Sequence, residues 1–166
     1  MNDTYLFFRA EETDCEAVMA LYAACRSIPG CTWSEYYPSQ EEFDEDIAGG
    51  FLYCLKEGEK VIAVTSLGDY GDIWGKEGIP WSKDIRRPCE LARVGVRPEY
   101  AGKGIGARLL NLVIDTAKSK GFDGVRLMVS PGNAAAVALY RRAGFKTVGE
   151  ADMYGMHWLC QELKLQ

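Results

Sequence analysis

In the first 70 residues, segments with the apolar spacing of a β-strand alternate with segments that have the apolar spacing of a helix. Short runs rich in apolar and β-branched residues predict strands at 5–9, 51–56 and 61–67, the last two joined as a hairpin. A helix is predicted from the capping box Thr13-x-x-Glu16, because apolar residues follow it at helical spacing: Val18, Leu21, Tyr22 and Cys25. A second capping box, Ser39-x-x-Glu42, predicts another helix, which Gly49-Gly50 ends.

The second half of the chain continues this pattern. Strands are predicted at 90–96, 124–129, 145–148 and 153–165, and helices at 105–120 and 134–143. The first of these helices has the clearest apolar face, formed by Ile105, Leu109, Val113 and Ala117 with Leu110 and Ile114 beside them. The order β-α-α-β-β-β-α-β-α-β-β predicts an α/β (α+β) fold in a single domain, 1–166: a mixed sheet of about seven strands with helices on both faces.

A glycine-rich segment joins the strand at 90–96 to the helix at 105–120. It reads Arg97-Pro-Glu-Tyr-Ala-Gly102-Lys-Gly104-Ile-Gly106, and its glycines leave backbone N–H groups open to a close ligand. The segment leads into a helix N-terminus, where N–H groups lack partners and the helix dipole is positive. These properties favour an anion such as phosphate.

Three kinds of phosphate-binding site contain a glycine-rich segment of this type, and this segment matches them to different degrees. A P-loop needs Ser or Thr directly after its lysine, whereas glycine follows Lys103. A dinucleotide-binding fingerprint, Gly102-x-Gly104-x-x-Ala107, also needs an acidic residue at the end of the next strand, and that strand ends at Ser130. The third candidate is the pyrophosphate of coenzyme A.

Two segments together resemble the acetyl-CoA site of the GNAT superfamily of N-acetyltransferases. The first is Glu90-Leu-Ala-Arg-Val-Gly-Val96 with the glycine loop, and the second is Asn133-Ala-Ala-Ala-Val-Ala-Leu-Tyr140-Arg-Arg-Ala-Gly144-Phe145. The resemblance is close over residues 90–148, and the flanks match in element order. It implies a mostly antiparallel sheet in which the strand before the glycine loop splays from its neighbour.

The resemblance also implies the reaction. The cofactor would be acetyl-CoA, and a primary amine of a small molecule or peptide would attack the acetyl group directly in a ternary complex. Two alternatives are a non-catalytic acyl-CoA-binding sensor or interaction domain and a nucleotide-dependent enzyme that uses the same loop.

For the cofactor, the resemblance implies roles for individual residues. The main-chain N–H of Val94 would polarise the acetyl carbonyl, Val96 would bind the pantetheine arm, and Asn133, a natural helix N-cap, would contact the same arm. The pyrophosphate would be bound by Ala101, Gly102, Lys103, Gly104, Ile105, Gly106 and Ala107. The family usually has Gln or Arg where this chain has Ala101, so Lys103 or Arg108 would supply the missing charge.

Two side chains match the acid and the base of the family. Tyr140 would protonate the CoA sulfur, and its place seven residues after Asn133 puts it on the same helix face; the alternative is a core tyrosine. Glu90 would be the general base, since a partly buried carboxylate has a raised pKa. The alternative for Glu90 is pairing with Arg86, Arg87 or Arg93, in which case Glu35 is the next candidate base.

Aromatic and acidic residues are concentrated in segments 28–38 and 68–88, and the second of these has the length of a functional loop. Together with the last strand, these segments are expected to form the acceptor pocket from Trp33, Glu35, Tyr36, Trp74, Trp81 and His157. Such a pocket suits a cationic or aromatic amine. The same composition is typical of loops that pack on each other or on a second subunit, so a homodimer is also considered.

Charge is distributed unevenly along this chain of 166 residues, whose net charge is −5. Residues 1–85 hold 17 Asp or Glu against 6 Lys or Arg, whereas residues 86–146, which include the glycine loop, hold 12 Lys or Arg against 4 Asp or Glu. This suits a polyanionic cofactor on one side and a cationic partner on the other. For the acidic half, a solvated face without a partner is the alternative. The chain has no basic run or ladder of stacking aromatics, so no nucleic-acid partner is expected.

The rest of the composition is ordinary for a globular protein, 48% hydrophobic and 26% charged. No apolar run reaches 18 residues, and the N-terminus has no basic start, so neither a membrane span nor a signal peptide is expected. Six scattered cysteines without a C-x-x-C pair, and a single histidine, predict reduced thiols in a cytoplasmic protein and no metal site.

Overall fold

The computed structural model describes residues 4–69 and 78–166. Its strands are β1 (Tyr5–Arg9), β2 (Leu52–Glu57), β3 (Lys60–Gly68), β4 (Pro88–Val96), β5 (Gly124–Val129), β6 (Lys146–Met153) and β7 (Met156–Lys164). Its α-helices are α1 (Cys15–Cys25), α2 (Gln40–Gly49), α3 (Ile105–Ser119) and α4 (Ala134–Arg142). The strands form one sheet in the order β1-β2-β3-β4-β5-β7-β6. The predicted fold class and order of elements are confirmed.

The sheet is antiparallel except where β4 meets β5. These two strands are parallel and pair only from Pro88 opposite Gly124 to Glu90 opposite Arg126. Beyond that point β4 continues to Val96 and β5 to Val129 without pairing to each other. An opening therefore develops between the two strands after Glu90, and this is the splayed central pair that the resemblance implied.

Helices cover both faces of the sheet, because successive residues of the central strands point to opposite sides. On one face, α1 and α2 bury Val18, Leu21, Tyr22, Cys25 and Phe43 against Leu52, Cys54, Val61 and Val64. On the other face, α3 buries Ile105, Leu109, Val113 and Ala117 against residues that include Leu55, Ile62, Leu91 and Leu127. Tyr140 of α4 belongs to this second cluster. The predicted apolar faces of α1 and α3 are therefore correct.

The start of α2 is as predicted, but the start of α1 is not. The Ser39 N–H donates to the Glu42 carboxylate at 2.7 Å, and Gly50 ends α2 in the left-handed conformation. Before α1, the capping box is formed by Glu11 and Asp14, and it begins a 3-10 turn at 12–14. The box predicted at Thr13 is wrong because Thr13 already lies inside this turn.

The last two strands also have other bounds than predicted. The strand expected to start at 145–148 is β6, which extends to Met153, and a turn at Tyr154-Gly155 delays the last strand, expected from 153, to Met156. Gly155 has a φ of +73°, which a tight turn between two strands requires. The apolar pattern did not reveal this boundary because alternation is irregular in both strands, and β6 also has a register shift between Thr147 and Gly149.

Within residues 4–69 and 78–166, no helix combines the length and apolar character that crossing a membrane requires. In the same residues, no group of three or more His, Cys, Asp or Glu is arranged to hold a metal ion. All six cysteines are free thiols, and four of them are buried.

Candidate active site

The opening between β4 and β5 contains an irregularity of β4. Ser66 of β3 lies opposite Ala92, but Val64 lies opposite Gly95, so Arg93 and Val94 together face the single residue Thr65. This is a β-bulge, and it moves the alternation of the strand by one residue. Accordingly, Cys89 and Leu91 contribute to the α3 cluster before the bulge, whereas Val94 and Val96 contribute to it afterwards.

The bulge decides the direction of the Val94 N–H group. Past the end of β4, the Arg97 N–H donates to the Ile62 carbonyl of β3 at 2.8 Å. Because N–H groups alternate between the two edges of a strand, those of Val96 and Val94 point away from β3 and into the opening. In a strand without the bulge, the Val94 N–H would instead donate to β3.

The glycine loop lies at the wide end of the opening, directly after β4. Gly102 and Gly104 have φ values of +76° and +75°, and no heavy atom lies within 4 Å of the position of a Cβ on either residue. Arg108 is the first α3 residue whose N–H donates to the backbone, to Gly104 O at 3.0 Å. In the part of the chain that the structure describes, the N–H groups of residue 102 and residues 104–107 have no acceptor.

N–H groups without acceptors at the positive end of a helix favour binding of an anion, and this arrangement fits the pyrophosphate of coenzyme A. Side chains contribute less. Ala101 is exposed and offers no side-chain donor. The Lys103 ammonium lies 5.1 Å from the centre of the Tyr100 ring, so it adds positive charge at the rim of the loop.

Glu90 lies where the opening begins, as the last residue of β4 that pairs with β5. Burial raises its pKa to about 7, while the nearby Arg93 lowers that pKa and Asp46 raises it. No hydrogen bond or ion pair joins the Glu90 carboxylate to another described residue, and the Arg93 guanidinium pairs with Asp46 instead. A carboxylate of this kind is suited to accept a proton near neutral pH.

Tyr140 is buried in α4, with its ring 5.7 Å from the ring of Phe145. Loss of solvation raises its pKa, so the phenol keeps its proton at neutral pH. The adjacent Leu139 and Val96 of β4 both lie within 4 Å of the position of a Cβ on Gly106, at 3.3 and 3.8 Å. The segment of α4 that carries Tyr140 therefore lies beside the open end of β4.

Asn133 begins α4, and its side chain accepts the Ala136 N–H at 3.2 Å, which confirms the predicted N-cap. The loop at 28–38 touches the turn just before it. A Cβ on Gly30 would lie 2.6 Å from Gly132 O, and Gly30 has a φ of +81°. Since α1 packs on β3 and β4, this loop spans the opening from the α1 side to the end of β5.

The predicted acceptor residues of the 28–38 loop lie in two environments. Trp33 packs edge-on against Tyr22, with ring centres 5.4 Å apart, and its ring lies against Gly95. It is therefore part of the core beneath α1. Glu35 and Tyr36 are exposed, and the Tyr36 side chain is 79% accessible.

Two further acceptor candidates, Trp81 and His157, lie on the β5 side of the opening. The Trp81 ring lies 5.0 Å from the Arg126 guanidinium, and Arg126 is the neighbour of Glu90 in the sheet. His157 is exposed on the β6–β7 hairpin and contacts Asp152 at 2.7 Å and Glu150 at 3.2 Å. Hydrogen bonds to Asp152, then to Glu150, raise the pKa of His157. Trp74 lies outside the described residues.

Asp46 of α2 is a residue of the site that the sequence did not predict. Its carboxylate is fully buried and binds the Arg93 guanidinium through two contacts, Oδ2 to Nε at 3.1 Å and Oδ1 to Nη2 at 2.7 Å. Two signals for it were available in the sequence. Asp46 lies three residues after Phe43, on the apolar face of α2, whereas Asp44 and Glu45 lie on the exposed face. A charged residue inside an apolar strand, Arg93, was the signal for a buried partner.

Comparison with known proteins identifies the family of this chain. The model of the acetyltransferase (GNAT) family matches residues 15–145. The chain belongs to the GNAT acetyltransferase family. It is accordingly an acetyl-CoA-dependent N-acyltransferase, and neither the nucleotide-dependent nor the non-catalytic alternative is retained.

Two relatives match this chain over different shares of its length. The chain is 27% identical over 155 residues to L-methionine sulfoximine/L-methionine sulfone acetyltransferase of Pseudomonas aeruginosa, a match that covers 88% of this chain and 84% of that protein. It is 41% identical to mycothiol acetyltransferase of Clavibacter michiganensis over 69 residues, which are 42% of this chain but only 22% of that protein.

The fold is also found among solved structures. The PaiA N-acetyltransferase of Thermoplasma acidophilum, solved in complex with coenzyme A, superposes with a TM-score of 0.75. The alignment covers 98% of this chain and 99% of that one, with 20% sequence identity. At this identity the likeness establishes the fold alone.

Proposed function

We propose that this GNAT protein transfers the acetyl group of acetyl-CoA to the primary amine of a small molecule or peptide, by direct attack in a ternary complex. The separation of β4 from β5 after Glu90 is the observation that carries this proposal. The opening has the N–H groups of Val94 and Val96 along β4, the glycine loop at its wide end and the Glu90 carboxylate at its narrow end. A thioester and an attacking amine can meet in such an opening.

In this proposal, Glu90 removes the proton from the incoming ammonium group, directly or through one water molecule. Its pKa of about 7 allows it to be ionised at neutral pH and still to be basic enough to take the proton. Its carboxylate has no other described partner to compete for its oxygens. The amine nitrogen then forms the bond to the thioester carbon.

The Val94 N–H would donate to the carbonyl oxygen as negative charge develops on it. A single preorganised donor of this kind can lower the barrier by about 3 kcal/mol. As the carbon–sulfur bond breaks, Tyr140 would give its phenol proton to the leaving thiolate, so that the thiol departs neutral. The nitrogen would lose its second proton as the amide forms, and this proton would restore the phenol of Tyr140 through solvent, while Glu90 releases the first proton to water. The glycine loop and Val96 would hold the pyrophosphate and pantetheine arm throughout, and the Asn133 turn would border the arm.

The acceptor is proposed to be a cationic or aromatic amine. Support comes from Glu35 and Tyr36, which are exposed on the loop that spans the opening, and from Glu150 and Asp152 beside His157. The relative from Pseudomonas aeruginosa is named for amino-acid analogues, which carry a primary amine. A peptide N-terminus presents the same group. The homodimer and the cytoplasmic location stay predictions.

The proposal is tested by measuring thiol release from acetyl-CoA with a panel of polyamines, amino acids, aminoglycosides, aryl-alkylamines and peptide N-termini. Tyr140→Phe is assayed alongside, and the thiol signal of the protein itself is subtracted because the chain has six free cysteines. We expect amine-dependent release that falls about 100-fold in Tyr140→Phe, with acetyl-CoA affinity retained. A variant as active as the wild type would refute the role of Tyr140.

A further inference from the structure

Arg93 has an unusual backbone conformation at the centre of the bulge. Its φ is +52°, in the left-handed region that glycine adopts readily and that other residues seldom occupy. A side chain held in this region is under backbone strain and persists where the surroundings enforce it. Glycine would avoid this strain, so the arginine side chain must contribute something that glycine cannot.

Contacts on both sides enforce the bulge. The hydroxyls of Thr65 and Ser66 both donate to the Ala92 carbonyl, at 3.2 and 3.0 Å, and hold the strand just before Arg93. On the α2 side, the Arg93 guanidinium binds the buried Asp46 carboxylate in the two-pronged geometry of a strong ion pair. It also donates to the Tyr37 hydroxyl at 3.2 Å, which joins it to the 28–38 loop.

We propose that Arg93 is a positioning residue for acyl transfer, which through its pair with Asp46 holds the bulge that turns the Val94 N–H into the opening. The inference rests on the role of Val94 in the proposed function. Its basis is the strand geometry. With the extra residue of the bulge, the Val94 N–H faces the opening; without that residue, the same N–H would donate to β3. Asp46 connects this choice to α2, which follows the acceptor loop.

The pair has features that a merely stabilising contact does not need. Asp46 is wholly inaccessible and the Arg93 side chain is 10% accessible, so both charges are removed from water. A buried pair of this kind adds little net stability compared with apolar residues of similar size. It is, however, strongly directional, because a planar guanidinium binds a carboxylate in few orientations.

The test uses acetyl-CoA labelled with ¹³C at its carbonyl and the infrared band of that carbonyl in the complex. A hydrogen bond from Val94 lowers the carbonyl stretching frequency relative to free acetyl-CoA, and this readout needs no acceptor. The main variant is Arg93→Gly with Asp46→Asn, which suits the left-handed backbone and leaves no unpaired buried charge. Arg93→Lys, which keeps the charge but loses the fork, is the second variant should the first fail to fold.

Tyr154→Gly is the matched control. Among residues 4–69 and 78–166, Tyr154 is the other non-glycine residue with a positive φ, +56°, and it lies exposed at the β6–β7 turn. Relief of backbone strain alone should affect both glycine variants equally. We expect Tyr154→Gly to keep the carbonyl band of the wild type.

In the Arg93 variants, we expect the band to return toward its position in free acetyl-CoA, with the dissociation constant within about threefold because the glycine loop is untouched. With an amine from the panel, kcat should fall about 10- to 100-fold and KM for acetyl-CoA should change little. Variants that keep both the band and kcat of the wild type would overturn the role of Arg93 and leave the proposed function standing. A wild-type band that does not move on binding would refute the role of Val94 itself.

Discussion

Glu90 is unusual among the acids of this chain because it is partly buried and has no described partner. Its pKa is raised to about 7 by burial, so the carboxylate forms over the range in which a general base is most useful. Two of the three arginines that were candidates for pairing with it contact other groups: Arg93 binds Asp46, and the Arg87 guanidinium lies over the Phe122 ring. This leaves the Glu90 carboxylate available for the role of base that we propose.

We predict that kcat/KM rises with pH through about 7 in the wild type, as Glu90 loses its proton, and that Glu90→Gln abolishes this limb. The rate at the plateau should fall about 100-fold. The measurement is a pH profile of kcat/KM for the amine, taken at amine concentrations below KM with saturating acetyl-CoA. Glu35→Gln, the next candidate base, should keep the limb; if it loses the limb instead, the assignment of the base is wrong.

The same carboxyl group should affect stability in the opposite direction. The pKa of Glu90 is higher in the folded protein than the ordinary value of 4.5, so the contribution of Glu90 to the free energy of unfolding is full below about pH 4.5 and is lost as pH rises through about 7. Glutamine does not titrate. Denaturation at pH 4 and pH 8 should therefore show a smaller loss of stability for Glu90→Gln than for the wild type.

Ala101 is the position where the glycine loop departs from its family. The residue is exposed directly before the N–H groups that have no acceptor. Ala101→Gln adds a donor there, so we predict acetyl-CoA binding about three- to tenfold tighter by calorimetry. Ala101→Glu is the matched control and should weaken binding, because it places a negative charge beside a pyrophosphate. Equal affinities for the three proteins would mean that position 101 does not reach the ligand.

Among the secondary-structure elements, α2 depends on its capping box. The Ser39 hydroxyl accepts the Glu41 N–H at 3.3 Å, and the Glu42 carboxylate accepts the Ser39 N–H, so two groups at the start of the helix are satisfied. The helix also carries Asp46, which binds Arg93 at the opening. The helical structure of α2 and the geometry of β4 are therefore connected through the Asp46–Arg93 ion pair.

We predict that Ser39→Ala lowers the free energy of unfolding by about 1 kcal/mol, as loss of an N-cap usually does. Thr13→Ala is the control, because Thr13 belongs to the capping box that the structure does not form. The check is chemical denaturation of both variants. A loss as large for Thr13→Ala as for Ser39→Ala would show that residue type alone, and not the observed cap, explains the effect.

At the scale of the whole molecule, the charge of the chain is divided between its two halves. The block of 86–146 carries the excess of basic residues and includes both the glycine loop and α4. A positive field around a phosphate cradle speeds the approach of a polyanion, and salt screens it. The effect should depend on the phosphates of the donor and not on its acetyl group.

We predict that kcat/KM for acetyl-CoA falls several-fold from low to high ionic strength, whereas that for acetyl-pantetheine, which lacks the nucleotide phosphates, does not. Both donors carry the same thioester, so the chemical step is held constant. The comparison is made with one amine at one pH. A parallel fall for the two donors would place the salt effect on the amine or on the fold, and not on the cradle.

Much of this molecule could be predicted from local patterns. Helical spacing predicted the buried positions of α1 and α3, because the face of a helix depends on residues three and four apart. The glycine-rich segment predicted a loop with open N–H groups at the start of α3, because the positive φ of Gly102 and Gly104 is a property of those few residues. The β6–β7 turn and the start of α1 were missed, since neighbouring signals of equal strength competed there.

The sequence by itself determined the order of the elements, the glycine loop and the candidate acid and base, all of which depend on residues close together in the chain. Only the tertiary structure decided the surroundings of Glu90 and Arg93, on which their proposed roles depend. Asp46 lies 47 residues from Arg93, and their pairing depends on how α2 packs on the sheet. The opening after Glu90 is likewise a relation between two strands, because it depends on where β4 and β5 stop pairing, which neither strand specifies alone.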